Sequence, residues 1–298
     1  MIYFAQQLAN AVPLCALYAA LAFGYAIAFG MTRRADIAYG AIFVFAGQLY
    51  LLFTATGWNA LNLVFPAALA FGAFMALVYG IGAGVVVGRQ VLRPLYRASP
   101  NAVIVASLAV LIILLESARL AMESRSLWLP PFLNRPVNLW DDGAFSVTLT
   151  VIQMVNAALM VAVVGLGHWV LTKSRAGLVW RAVSEDPFAA ELCGTNAGLV
   201  FLLAYATAAA IASVCGVLAT SYYGTMDFGI GILFGLKVVL IAAAGGYSVP
   251  LRSAAGAAVV GLAETLWSGY APIVWRDLVV VSVLVAMLVA SRRERVIP

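Results

Sequence analysis

The sequence predicts an all-α protein, a polytopic transmembrane helical bundle of 8 to 9 spans with its N-terminus outside and its C-terminus cytoplasmic. Three observations predict it. Hydrophobic residues make up 64% of the 298 positions and charged residues 10%, against roughly a quarter charged in ordinary soluble domains. Apolar stretches of about twenty residues, long enough to cross about 30 Å of hydrocarbon at 1.5 Å per residue, recur along the chain. Basic residues gather in alternate connecting segments, as short cytoplasmic loops require. A chain so poor in polar residues has no shell to hold it in water, which excludes a soluble role.

Taken in order, the candidate spans cover 8–30, 39–56, 61–87, 100–121, 146–172, 198–220, 228–246, 254–270 and 274–290. The second and the last three are short and interrupted by Gly, a texture that fits tilted, broken or re-entrant helices as well as full crossings. For 31–56 and 228–246 both readings stay open. The first run has no basic n-region and is too long for a signal h-region, so it is expected to remain as a span. Stretches such as GYAIAFG (24–30), GIGAGVVVG (80–88) and GAAVVG (256–261) space small residues so that helix backbones can approach closely. The whole of 1–298 reads as one transmembrane domain with an external loop at 122–145 and a cytoplasmic loop at 173–197.

Orientation follows from Lys and Arg. Under nine alternating crossings one set of loops holds Arg33, Arg34, Arg89, Arg93, Arg97, Lys173, Arg175, Arg181, Arg252, Arg292, Arg293 and Arg295, and the other only Arg125, Arg135 and Arg276. The rich side is cytoplasmic. The net charge of +5 is thereby accounted for by topology and calls for no nucleic-acid partner. The 122–145 loop, rich in Pro, Trp and Asn, reads either as an interfacial lid or as a plain connector.

Catalytic chemistry finds little support. Cys15, Cys193 and Cys215 have no ligand spacing, and the single histidine, His168, stands without a cluster. No GxxxxGK[ST], HExxH or GxSxG pattern occurs, so the chain is expected to be no enzyme and to bind no cofactor of its own. Charges inside spans are costly and tend to face the bundle interior. Glu116 and Arg119, three apart on one helix face, suit a structural ion pair. Lys237 and Glu264 lack a charged neighbour on their own helices; they suit a mutual lock between two helices or a position beside a translocation path. No chain of titratable groups accompanies them, which argues against a proton-driven carrier.

The segment RAVSEDPFAAELCG (181–194) carries four charges between two apolar runs. It reads as a short helix with Ser184 as N-cap, Glu185 and Asp186 at its start, Pro187 in the first turn and Gly194 as its stop. Phe188, Ala189 and Leu192 give it an apolar face and Arg181, Glu185 and Glu191 a polar rim. From the residues alone it could rest on lipid headgroups or dock on protein.

The spacing Ala189-Ala190-x-x-x-Gly194 resembles the EAA-x3-G loop of ABC-importer permeases, and the full segment is similar to its form in the branched-chain amino acid permease family. Three further stretches agree in order along the chain: QQLANAVPLCALYAALAFGYAIAFG at the start, GRQVLRPLYRASPNAVIVASLAV at 88–110, and GLKVVLIAAAGGYSVPLRSAAGAAVVGLAE at 235–264. The compact length resembles the family's shorter permease subunit. The chain departs from the pattern at Phe188, where the general motif has Glu. Asp36-Ile37-Ala38-Tyr39-Gly40-Ala41 stands where the family commonly reads Asn-Phe-Ala-His-Gly-Glu, with Arg33 and Arg34 upstream. Val249 and Arg252 stand where Ser and Gly are expected, and the usual C-terminal Arg-Pro-x-Gly is absent. These departures bear on substrate identity.

The resemblance implies a multi-pass subunit of the bacterial inner membrane in an ATP-driven importer of branched-chain amino acids or a related small amide or carboxylate. Its implied partners are a second related permease, two cytoplasmic ATPase subunits that hold ATP and Mg, an external substrate-binding protein, and lipid. It also implies that the segment is the ATPase-coupling helix. Phe188 and Ala190 would then fill an ATPase groove, Arg181, Glu185 and Asp186 would set rim contacts, and Ala189 and Gly194 would complete the motif. A stand-alone carrier or channel for small neutral solutes is the competing class.

Overall fold

The computed structural model describes residues 2–95, 100–141, 146–227, 237–243, 245–247 and 249–291. The first helix, α1 (Ile2–Thr32), is apolar on all sides and forms the centre of the molecule, with most of 16–28 buried. It is followed by α2 (Ala38–Asn59) and α3 (Phe65–Val86), whose first turn holds Pro66. The latter continues through a π-helical stretch, Val87–Leu92, into a turn at Arg93–Leu95. Next come α4 (Pro100–Ala121), α5 (Val151–Lys173), α6 (Arg175–Glu185), α7 (Pro187–Leu192) and α8 (Ala197–Tyr223). A helical stretch at 237–243, here α9, precedes α10 (Pro250–Tyr270) and α11 (Arg276–Ser291).

Close backbone approach assembles the inner layer. Gly80, Gly84 and Gly88, four apart, turn one edge of the α3 helix onto α8. A Cβ at Gly84 would come within 2.2 Å of the Ala209 Cβ, and one at Gly80 within 2.2 Å of the Ser213 hydroxyl. On α8 itself, a Cβ at Gly216 would lie 2.3 Å from the Phe43 carbonyl of α2. The GIGAGVVVG stretch is therefore a packing face in which side chains are excluded so that dispersion contacts can form between backbones. Gly261 similarly lets α10 lie against Cys15 of α1.

Among the described residues six helical stretches are long and apolar enough to cross a membrane: Tyr3–Thr32, Ala38–Asn59, Phe65–Leu95, Ala102–Ala121, Val151–Lys173 and Ala197–Tyr223. The expected second span is thus an unbroken 22-residue helix. The expected span at 228–246 falls largely outside the described residues. Those at 254–270 and 274–290 correspond to α10 and α11, which are helical but are not among the six.

The all-α expectation omits a β-hairpin. Strands β1 (Pro136–Asp141) and β2 (Ser146–Thr150) pair antiparallel, Val137 opposite Leu149, with an irregularity between Asn138 and Trp140. In β2, Val147 and Leu149 alternate inward, a period of two that a helix cannot use. The hairpin is pinned to the start of α1 by Gln6, whose amide donates to the Thr148 carbonyl (3.0 Å) and accepts from its N–H (2.9 Å). The fifth span consequently begins as helix at Val151 instead of 146. There the Gln153 side chain returns to the Thr150 N–H (2.8 Å) and completes a capping box.

Candidate functional site

The charged segment between α5 and α8 folds as two helices with a sharp joint. The residue before a proline is pushed into extended backbone, and Asp186 (φ −145°, ψ 100°) therefore ends α6 and opens α7. Its carboxylate Oδ1 accepts the N–H groups of Phe188 (2.9 Å) and Ala189 (3.1 Å), so Asp186 is the N-cap, with Pro187 at the first helical position. The expected cap, Ser184, lies inside the last turn of α6, where its hydroxyl donates back to the Arg181 carbonyl (2.8 Å). At the far end the Gly194 N–H bonds the Glu191 carbonyl and the Thr195 N–H the Ala190 carbonyl, both at 3.0 Å. This Schellman pattern needs φ +84° at Gly194, a conformation that favours glycine.

The faces of α7 differ from expectation in one respect. Ala190 is buried against Val183 and Ala197, so within the chain it locks the joint to α6 and α8. The outward apolar pair is Phe188, 71% exposed, and Leu192, 76% exposed, four apart on one side. Arg181, Glu185, Asp186, Ala189 and Gly194 are all exposed around it. A cavity of about 350 Å³ opens beside α7 and is lined by Pro187 and Glu191 together with Arg89 and Arg93.

Lys237 and Glu264 meet. The Lys237 ammonium lies 2.7 Å from Glu264 Oε1, both residues being buried, and the Tyr18 hydroxyl of α1 donates to Oε2 at 2.8 Å. Two residues from the start of α11 extend the cluster: Arg276 Nε lies 3.6 Å from Glu264, and Asp277 lies 3.6 Å from Lys237 and 3.3 Å from Arg276. Four charges of zero net sum thus tie α9, α10 and α11 to α1. Glu116 and Arg119 also pair, at 2.7 Å, on a half-exposed surface of α4.

A third polar centre escaped sequence reasoning. Asp36, in the turn between α1 and α2 and outside both candidate spans, is fully enclosed. Its Oδ2 accepts the Tyr205 hydroxyl of α8 (2.6 Å), its Oδ1 the Ala38 N–H (2.9 Å), and its own N–H donates to the Tyr25 hydroxyl (3.1 Å). Burial raises the carboxyl to about 6, against which the bonds from Tyr205 and Ala38 pull down. A folded-state value above the unfolded one favours the protonated form. Asp36 therefore costs nothing below about pH 4 and costs progressively more as pH rises through about 6, reaching roughly 3 kcal/mol above pH 7. Asp36→Asn is expected to melt at a higher temperature than the wild type at pH 7.5, with the difference shrinking to about a third at pH 4.5. Parallel melting curves at the two pH values would refute this.

Among the described residues, further buried polar atoms have no hydrogen-bond partner: the Tyr39 hydroxyl, both amide atoms of Gln48, and the hydroxyls of Thr54 and Thr220. The two threonine hydroxyls abut the glycine positions Gly72 and Gly47. Gln48 sits at the middle of α2, where an unpaired amide is costly.

Apolar helices of spanning length, packed through small residues and joined by a separately capped helix that stands clear of them, define a multi-pass membrane protein. The chain belongs to the family described as branched-chain amino acid transport system / permease component, which matches residues 7–288. It is similar to the high-affinity branched-chain amino acid transport system permease protein LivH of Escherichia coli (strain K12), with 28% identity over 296 residues, covering 96% of this chain and 93% of the relative. LivH of Salmonella typhimurium is 27% identical and BraD of Pseudomonas aeruginosa 24% identical, with the same coverage. No solved structure matches the chain.

Proposed function

We propose that this chain is the membrane-spanning subunit of an ATP-driven ABC importer that carries branched-chain amino acids, or a related small amide or carboxylate, across the bacterial inner membrane. The observation that carries this reading is α7: a helix with its own caps, held by Ala190 and presenting Phe188 and Leu192 outward, in the position along the chain where permeases of this kind carry their ATPase-coupling loop. The named relatives belong to high-affinity branched-chain amino acid systems, which supports the substrate class. On this reading 1–298 is a single permease domain with 8 to 9 crossings, α10 and α11 completing the count. The N-terminus and the 122–145 segment lie outside, and the 173–197 segment and the C-terminus lie in the cytoplasm.

The chain would pair with a second, related permease, two cytoplasmic ATPase subunits and an external binding protein. ATP and Mg would be held by the ATPases and no cofactor by this chain. Closure of the ATPase dimer would displace α7 and switch the pore between outward and inward access. Purified from native membranes, the chain is expected to bring its ATPase subunits with it, and the reconstituted complex to hydrolyse ATP faster with ligand-loaded binding protein. Uptake by proteoliposomes holding this chain alone would favour the stand-alone carrier instead. Identifying the ligand carried by the purified binding protein fixes the substrate.

A further inference from the structure

One contact set joins the end of α6, just ahead of α7, to the bundle in a way that neither packing nor the coupling motif requires. The Arg33 guanidinium, from the residue that follows α1, donates to the carbonyls of Ser184 and Glu185, the latter at 2.9 Å. These are the last carbonyls of α6, which have no donor within their own helix, and the C-terminal end of a helix attracts a cation. Six residues back from the joint at Asp186, the Trp180 indole N–H donates to the Ile27 carbonyl of α1 (3.3 Å) and its ring lies on Gly30, where a Cβ would come within 2.6 Å. Gly30 thus gives Trp180 its seat and Arg33 closes the clasp over the end of α6. Arg33, Trp180, Arg181 and Glu185 all border one cleft of about 630 Å³ that also receives His168 and Tyr247.

The joint at Asp186 is where α7 hangs. In the direction of α8 the chain passes through Gly194 and an exposed stretch, 191–194, before the α8 cap at Asn196, whose side chain bonds Leu199 within its own helix. On the α6 side of the joint the directed bonds go to Ile27 in α1 and to Arg33 just after it. From Arg33, α1 runs about 22 Å back to Tyr18, at 1.5 Å per residue, where it bonds Glu264 of the charged cluster. We infer that Arg33 is a positioning residue for transport: it passes displacement of α7 into α1, with Trp180 fixing the line of motion. This rests on the importer reading above, since it presumes an ATPase that moves α7.

The experiment compares wild type, Arg33→Ala, Arg33→Lys and Trp180→Phe in the complete complex with ATPase subunits and binding protein. Arg33→Ala is expected to lower both stimulation by ligand-loaded binding protein and substrate moved per ATP at least about fivefold, with unstimulated hydrolysis within about twofold of wild type. Arg33→Lys, which keeps a cationic donor, should recover part of the loss, and Trp180→Phe should show a smaller loss in the same direction. If Arg33→Ala does not accumulate, Arg33→Gln, which keeps one N–H donor group, carries the same expectation. Full stimulation in the Arg33 variants of an otherwise working complex would overturn the clasp and leave the importer reading standing. Loss of bound ATPase in the variant alone would also overturn it, because Arg33 would then serve docking instead of transmission. A wild-type chain that binds no ATPase would overturn both.

Discussion

Glu264→Ala is expected to destabilise the protein by about 3–5 kcal/mol, the cost of leaving a buried charge without its partner. The asymmetry of the cluster sharpens the expectation. Without Glu264 the Lys237 ammonium retains Asp277, which is 3.6 Å away and largely exposed so that its attraction is screened by water, and the face of the Tyr18 ring, 5.5 Å away. Without Lys237, Glu264 still accepts the Tyr18 hydroxyl at 2.8 Å and faces Arg276 at 3.6 Å. Lys237→Ala should therefore cost markedly less than Glu264→Ala, and the double variant Lys237→Met with Glu264→Leu should recover most of the loss, since removing both charges also removes their desolvation. Thermal melts in detergent give the ranking. Equal losses for the two single variants would refute the asymmetry, and losses below about 1 kcal/mol in both would show that the pair is solvated. The double variant also decides between the two roles open to these residues: retained uptake in the reconstituted complex identifies a helix lock, and lost uptake in a stable protein identifies a position on the transport path.

What could be read from the chain follows from how far each signal reaches along it. Span positions were legible because hydrophobic length is a local property, and the small-residue face at 80–88 because its period of four is local too. The meeting of Lys237 with Glu264 was legible as two charges stranded in apolar runs. Its companions Tyr18, Arg276 and Asp277 come from segments up to 259 positions distant in sequence, and spacing carries no information at that range. The Asp36 centre failed for the same reason, although the departure of Asp36 from the family pattern did mark the position. Arg33 could be read as a topology charge and as a departure from the family pattern but not as a clasp, because its partners are carbonyls and carbonyls leave no trace in a sequence. The cap of α7 was misread by two positions: Ser184 and Asp186 are both good caps, and the decisive effect was the restriction that Pro187 places on the residue before it. The hairpin was divided between the Pro-rich loop, which holds β1, and the start of the expected fifth span, which holds β2, and each strand is too short to show its alternation.

Phe188→Asp combined with Leu192→Asp is expected to weaken ATPase association by about 30-fold or more, corresponding to at least about 2 kcal/mol, while leaving the melting temperature of the isolated chain unchanged. Both side chains are more than 70% exposed, so their removal takes nothing from the chain's own core. Apolar side chains of this size contribute about 1.5–3 kcal/mol each when fully buried by a partner. Other variants of the segment test docking less cleanly. Ala190→Trp would force a large ring into the contact with Val183 and Ala197 and disturb the joint itself. Reversing the charge of Asp186 would remove the cap from Phe188 and Ala189, at about 1 kcal/mol, and confound docking with helix loss. Asp186→Ser keeps the cap and removes the charge, so with Glu185→Lys it isolates the contribution of the acidic rim. If the Phe188 and Leu192 double variant holds its ATPase subunits as tightly as wild type in a salt titration, α7 is not the docking element. A loss confined to the Glu185 and Asp186 variants, steep in salt, would instead assign docking to charge, because a screened electrostatic contact weakens with ionic strength and an apolar one does not.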